Sequence, residues 1–276
     1  MTVTDKHIEP VGRLLKLFGT HTGQLPGIEQ LNQWAQRWHG DWQGPAFVAE
    51  QETDLTNRYY EVYIAEERKV PTREHNWHDV YNALMWILYP RAKQLMNQWH
   101  CEEIALHGVH PRTPRRNRLT HFDECGVVIG VPENHLNQAN SQLQLLANHQ
   151  WQDVLFNNRY GWGMLLHPVI FGHALYEMLM TPFIGLTGKW LAVVVPEHFA
   201  AQTTPVQYEM LDNALVARLK TLDGLADKRT LKPLPLLGVP GWYHGQRAEF
   251  YHNTDYFRPL AHSAPATIQL PLTKPD

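Results

Sequence analysis

The sequence predicts a single α+β domain: a small mixed or antiparallel sheet packed by several helices, followed by a long irregular C-terminal segment. Three observations carry that prediction. Apolar residues recur at helical spacing over Trp77–Trp99, Val-rich runs of strand type lie at Gly126–Val131 and Gly188–Pro196, and Pro and Gly crowd the chain from Lys232 onward. With 276 residues, 43% of them apolar, the chain is long enough to bury a substantial core. No repeat, low-complexity stretch or linker interrupts it. One domain over 1–276 is expected, with its core at about 10–260 and a poorly ordered tail at 261–276.

Val11–Phe18 and Ile28–Trp38 are short amphipathic patterns that predict helices, separated by Gly19, Gly23, Pro26 and Gly27. Tyr59–Ala65 alternates only moderately and reads equally as strand or helix. Trp77, Tyr81, Leu84, Met85, Leu88, Ala92, Leu95, Met96 and Trp99 form a sustained apolar stripe. Asn76 is its expected N-cap, with Asp79 three residues on, and Pro90 should kink or split the helix.

His110–Arg118 reads as a Pro- and Arg-rich loop. Arg118–Phe122 and Gly126–Val131 read as strands joined by a turn at Asp123–Gly126. Leu136–Asn148 and Pro168–Met180 are expected helices, the second buried with Pro in its first turn. Gly188–Pro196 is a strand with two apolar faces. Thr204-Pro205-Val206-Gln207 carries the signature of a helix start, with Thr as cap and Gln as its partner, and the helix should run to about Leu222.

A net charge of −3 predicts no general attraction to nucleic acid. Cys101 and Cys125 are the only cysteines, too few for a disulfide framework, and reduced thiols in a cytoplasm are expected. Met1–Pro10 has no apolar signal core, and the longest apolar run, Trp190–Val195, is far too short for a membrane helix. GxGxxG, GxxxxGK[ST], GxSxG and HExxH are all missing, which disfavours nucleotide-fold dehydrogenases, P-loop enzymes, α/β-hydrolases and zincins. Cys125 follows two carboxylates, whose charge should raise its pKa and make it a poor nucleophile.

Four groups of polar residues could carry chemistry. His78 and Asn82 share a helix face, with Asp79 in the first turn, as an acid–base or ligand-holding set or as a cap plus a core histidine. Asp123 and Glu124 could hold a divalent cation at a strand end or be ordinary turn residues. His173 and Glu177 sit one turn apart on an otherwise apolar helix, a spacing that offers two metal ligands or a simple His–Glu pair. Arg112, Arg115, Arg116 and Arg118, with Arg91 and Lys93, could bind an anionic group or form a solvated loop.

Several of these residues also carry a resemblance. Asn76-Trp77-His78-Asp79-x-x-Asn82-Ala83-Leu84-x-Trp86, Pro90-Arg91-x-Lys93, Leu119-Thr120-x-Phe122-Asp123-Glu124-x-Gly126, Pro233-Leu234-Pro235-x-x-Gly238-x-Pro240-Gly241-Trp242 and Phe257-Arg258-Pro259 resemble a bacterial family known only as domain of unknown function number 3025. The likeness spans roughly residues 10 to 260, and Gly172-His173-Ala174-Leu175-x-Glu177 looks like a further family segment. It implies no activity, but it covers His78, Asp79, Asn82, Lys93, Asp123 and Glu124.

The expected site is a cleft where the helix from Trp77 meets the Asp123 turn and the His173 helix. The leading expectation is a metal-dependent, hydrolase-like enzyme acting on an anionic small molecule. Asp79, Asp123 and Glu124 are the catalytic candidates, and His78, Asp123, Glu124, His173 and Glu177 the candidate ligands of a divalent metal ion. Asn82, Lys93, Arg115 and Arg116 would position the substrate and Trp242 would close one wall. The alternative is a non-catalytic protein that binds a small ligand or a partner. An exposed apolar patch around Trp34, Trp38 and Trp42 would favour partner binding.

Overall fold

Seven consecutive buried residues, Gly126–Pro132, form the central strand of the domain in the computed structural model, which describes residues 9–56 and 58–274. The elements run α1 (Glu9–Leu17), α2 (Ile28–His39), β1 (Ala46–Ala49), α3 (Tyr60–Glu67), β2 (Lys69–Thr72), α4 (Trp77–Leu88), α5 (Pro90–His107), α6 (Pro114–Cys125), β3 (Gly126–Pro132), α7 (Leu136–Ala147), β4 (His167–Ile170), α8 (His173–Met180), β5 (Thr187–Val195), α9 (Thr204–Thr221), β6 (Lys232–Pro235) and α10 (Ala248–Tyr251). The main sheet has the order β4-β3-β5-β6. Its two inner strands are parallel, Val127 opposite Trp190, and both edge strands are antiparallel to their neighbours. The sheet is therefore mixed. Inner strands covered on both faces read as continuous apolar runs, which is why β3 and β5 lack alternation. A second, two-stranded parallel sheet pairs β1 with β2. No helix among the described residues is long and apolar enough to cross a membrane.

The Trp77–Trp99 stripe does form a helix, and Pro90 divides it into α4 and α5. Tyr59–Ala65, undecided from sequence, is the helix α3. Three local readings are corrected. Arg118–Phe122 is helix, not strand, and Asp123–Gly126 is not a hairpin turn. Thr113 Oγ1 accepts the Arg116 N–H at 3.2 Å and Pro114 fills the first helical position, so α6 starts there and runs to Cys125. Pro168 does not open a helix. It lies in β4, an edge strand that loses no necessary ladder bond to proline, and α8 begins only at His173. The Thr204 start is real, but Thr203 takes the cap position without a side-chain bond, and Gln207 donates instead to the Phe199 carbonyl at 3.1 Å.

Within the expected tail, Gln269 is fully buried; its side chain accepts from Ala192 N at 3.0 Å and donates to the Trp190 and Thr230 carbonyls. Leu272 is buried as well, so these two residues tie that part of the chain to the core. Trp34 is buried and Trp38 and Trp42 are partly so; they form no exposed patch.

Candidate functional site

Four helix ends converge beside the first strands of the fold. Asn76 Oδ1 accepts the Asp79 N–H at 3.0 Å and fixes the first turn of α4, where His78 stands. The start of α5 is held from a distant part of the chain: Asp212 on α9 accepts from Arg91 N at 3.0 Å and Ala92 N at 2.9 Å. Burial pushes the Asp212 carboxyl up to about 6, although both N–H bonds pull it down. Lys93 is the next residue along. The last turn of α6 supplies Asp123 and Glu124. Gly172 brings the start of α8 against that turn, since a Cβ there would collide with the Glu124 carbonyl oxygen and the Gly126 nitrogen. Its N–H donates to the Gly126 carbonyl at 2.8 Å.

This arrangement places side chains from five helices in one chain of contacts. Glu177 Oε2 meets His78 Nδ1 at 2.9 Å, and His78 Nε2 meets His173 Nε2 at 3.1 Å. His173 Nδ1 lies 3.7 Å from Asp123 Oδ2, wider than a hydrogen bond. Lys93 Nζ donates to Asp123 Oδ1 at 2.5 Å and to Asn82 Oδ1 at 2.9 Å, and lies over the Trp86 ring. Asn82 Nδ2 then donates to the Tyr60 hydroxyl at 3.1 Å. A cavity of about 280 Å³ opens along the chain, lined by His78, Asp79, Asn82, Lys93, Asp123, Glu124 and His173 among others.

Hydrogen counting restricts the two imidazoles. Two Nε2 atoms in contact need one proton between them, and His78 Nδ1 must donate to satisfy the Glu177 carboxylate. With one added proton on the pair, His78 donates from both nitrogens and His173 keeps a hydrogen on Nδ1, facing Asp123. Without it, either the Glu177 contact is lost or a bare Nδ1 of His173 faces a carboxylate. His173 itself stays neutral: burial carries it down to about 3, Asp123 opposes that shift, and Lys93 and His78 add to it. Burial raises Asp123, but the Lys93 ammonium with His173 and His100 outweighs it and holds the carboxyl below its ordinary value. Burial, then Glu124, lifts the Cys125 thiol to about 11, against a nucleophilic role.

Over residues 46–261 the chain matches the family model described as Protein of unknown function (DUF3025). The chain belongs to that family. No curated protein and no solved structure matches it. All the residues of the DUF3025 site named above, from Tyr60 to Asp212, fall inside the matched span, whereas α1 and α2 precede it.

Not every predicted site residue comes to this cavity. Arg115 donates to the Gly224 carbonyl and lies over Trp99. Arg116 is fully buried, donates to the Val109 carbonyl at 2.7 Å and covers the Tyr59 ring. Both hold the fold in place. Trp242 lines a separate cavity of about 400 Å³ with Arg13, Tyr176 and Tyr208. Asp79 reaches the cavity, but Arg73 grips its carboxylate through the backbone N–H at 2.7 Å, Nε at 3.0 Å and Nη2 at 2.8 Å. Among the described residues no group of three or more His, Cys, Asp or Glu side chains is arranged to hold a metal ion. The Lys93 ammonium already occupies Asp123 Oδ1, an oxygen for which a bound cation would compete.

Sequence reading overlooked Tyr60, Glu61, Trp86, Asn97 and His100, which also line the cavity. One signal was present. Lys93, Asn97 and His100 are spaced i, i+4 and i+7, a polar stripe along one face of α5. All three are buried, which polar residues at that spacing on a surface helix would not be.

Proposed function

We propose that the cavity is the active site of a hydrolase-like enzyme working by general acid–base catalysis on a small polar molecule. The carrying observation is the contact between His78 and His173, braced by Glu177 on one side and by Asp123 with Lys93 on the other. A carboxylate behind an imidazole orients it and stabilises its protonated form. Once a substrate parts the two Nε2 atoms, the freed His78 Nε2 would take a proton from an attacking water and return it to the leaving group. Asn82 and Lys93 offer donors to charge that develops on the substrate. The occupied carboxylate of Asp123 favours chemistry carried by side chains over chemistry carried by a bound metal ion.

The test is a panel of small esters, amides and phosphoesters assayed with the wild type, His78→Gln and His173→Gln. Turnover of one class is expected, falling about 10²- to 10⁴-fold in each variant. A second reading, a non-catalytic binding site, draws support from Asp79, Asp123 and Glu177, each already engaged by a neighbour. It gains if no class is turned over while small molecules still raise the melting temperature.

A further inference from the structure

We propose that the ligand of this site carries a cationic amine, held by Glu61 and His100, which line the cavity from α3 and α5. The inference rests on the cavity being a ligand site, and it names the class of molecule that enters. Five carboxylates line the cavity (Glu50, Glu61, Asp79, Asp123 and Glu124) against two cations, Arg73 and Lys93. Both cations are engaged. Arg73 is spent on Asp79, and Lys93 on Asp123 and Asn82. Among the described residues, the ion pairs include none to Glu61 or Glu124. The field inside the cavity is therefore negative, which opposes the anionic substrate expected from the Arg-rich loop and attracts a cation.

His100 supplies an independent sign that a donor belongs there. It is 3% exposed, lines the cavity, and its Nδ1 has no hydrogen-bond partner. A buried polar atom left unpaired is costly, and a ligand hydrogen would satisfy it. Burial lowers the His100 pKa, which leaves the ring neutral and able to accept. Glu61 stands on the facing helix α3 and is oriented by Asn97 Nδ2, which donates to its Oε2 at 2.8 Å. A primary ammonium has three hydrogens and no acceptor, so a carboxylate and a neutral imidazole suit it. Glu61 and His100, on α3 and α5, hold the amine, while His78 and His173, on α4 and α8, face the group that reacts.

The experiment uses the whole protein with butylammonium, butylguanidinium, butyrate and butanol as probes, at pH 7.5. Thermal melting and calorimetric titration are read on the wild type, Glu61→Gln and Arg13→Gln. Expected are stabilisation by one or both cations, none by butyrate, and affinity about tenfold or more weaker in Glu61→Gln. Arg13→Gln should keep the cation affinity, because Arg13 lines the separate cavity with Trp242. Binding of butyrate in preference to the cations overturns the proposal, as does cation binding unchanged by Glu61→Gln. Comparison of the four probes on the wild type decides the matter even if Glu61→Gln does not fold. Cation binding without turnover of any cationic ester or amide would leave this inference standing and remove the catalytic reading. Turnover of an uncharged substrate with no cation binding would do the reverse.

Discussion

The Nε2 atoms of His78 and His173 lie 3.1 Å apart, so these two residues from α4 and α8 share a single hydrogen at their contact. His173 is the buried member, and its folded pKa of about 3 lies below the ordinary histidine value of 6.5.

That depression has a stability consequence of definite sign. The unfolded chain binds a proton at His173 more readily than the folded one. Its contribution to stability is thus fully present above about pH 6.5 and is lost as pH falls toward 3. Thermal melts between pH 7.5 and 4 should show wild-type stability declining more steeply than that of His173→Gln. Parallel declines would mean that His173 is not a buried neutral imidazole.

Lys93→Met should be among the more damaging single changes in the site. It leaves Asp123 without its cation, and breaking a buried pair costs about 3–5 kcal/mol. Asp123 is 23% exposed, so water offsets part of this and the expected loss is nearer ~2–3 kcal/mol. The double variant Lys93→Met/Asp123→Asn should recover a good share of it. Denaturant unfolding of the two variants measures the difference, and equal stabilities would show that the pair is not coupled.

Metal analysis of protein purified without chelator or His-tag should give no stoichiometric transition metal or alkaline-earth ion, and melting should not respond to Mn, Zn or Mg. A near-stoichiometric metal that disappears in Asp123→Ala would return the site to metal chemistry and displace Lys93 from the role assigned to it.

The sequence carried more of the site than of the local structure around it. His78, Asn82, Lys93, Asp123, Glu124 and His173 were selected by both chemistry and family likeness, and they do line one cavity. Asp123 was found despite a wrong strand assignment: Leu119 and Phe122 suit a strand, but their i, i+3 spacing also suits a helix, and only the Thr113 cap and Pro114 decide it. Arg115 and Arg116 were misplaced because an arginine that donates to a backbone carbonyl looks, in sequence, like one waiting for an anion. Tyr60 and Glu61 were invisible because nothing local marks α3 as the element that faces α5. The packing of Gln269 beside β5 depends on a contact 77 residues away, beyond any periodicity.

Gly172→Ala should destabilise the protein by about 1–3 kcal/mol, because the added methyl has no free space beside the Glu124 carbonyl oxygen. Chemical unfolding measures this. A neutral effect would show that α8 can slide away from α6 without penalty.

The main-chain bond from Gly172 to the Gly126 carbonyl fastens α8 to the end of α6 without using any side chain that lines the cavity. The residues proposed to grip the ligand lie on α3 and α5, outside that fastening. Family members could therefore exchange Glu61 or His100 over evolutionary time and admit different molecules, while His173 keeps its place beside Asp123.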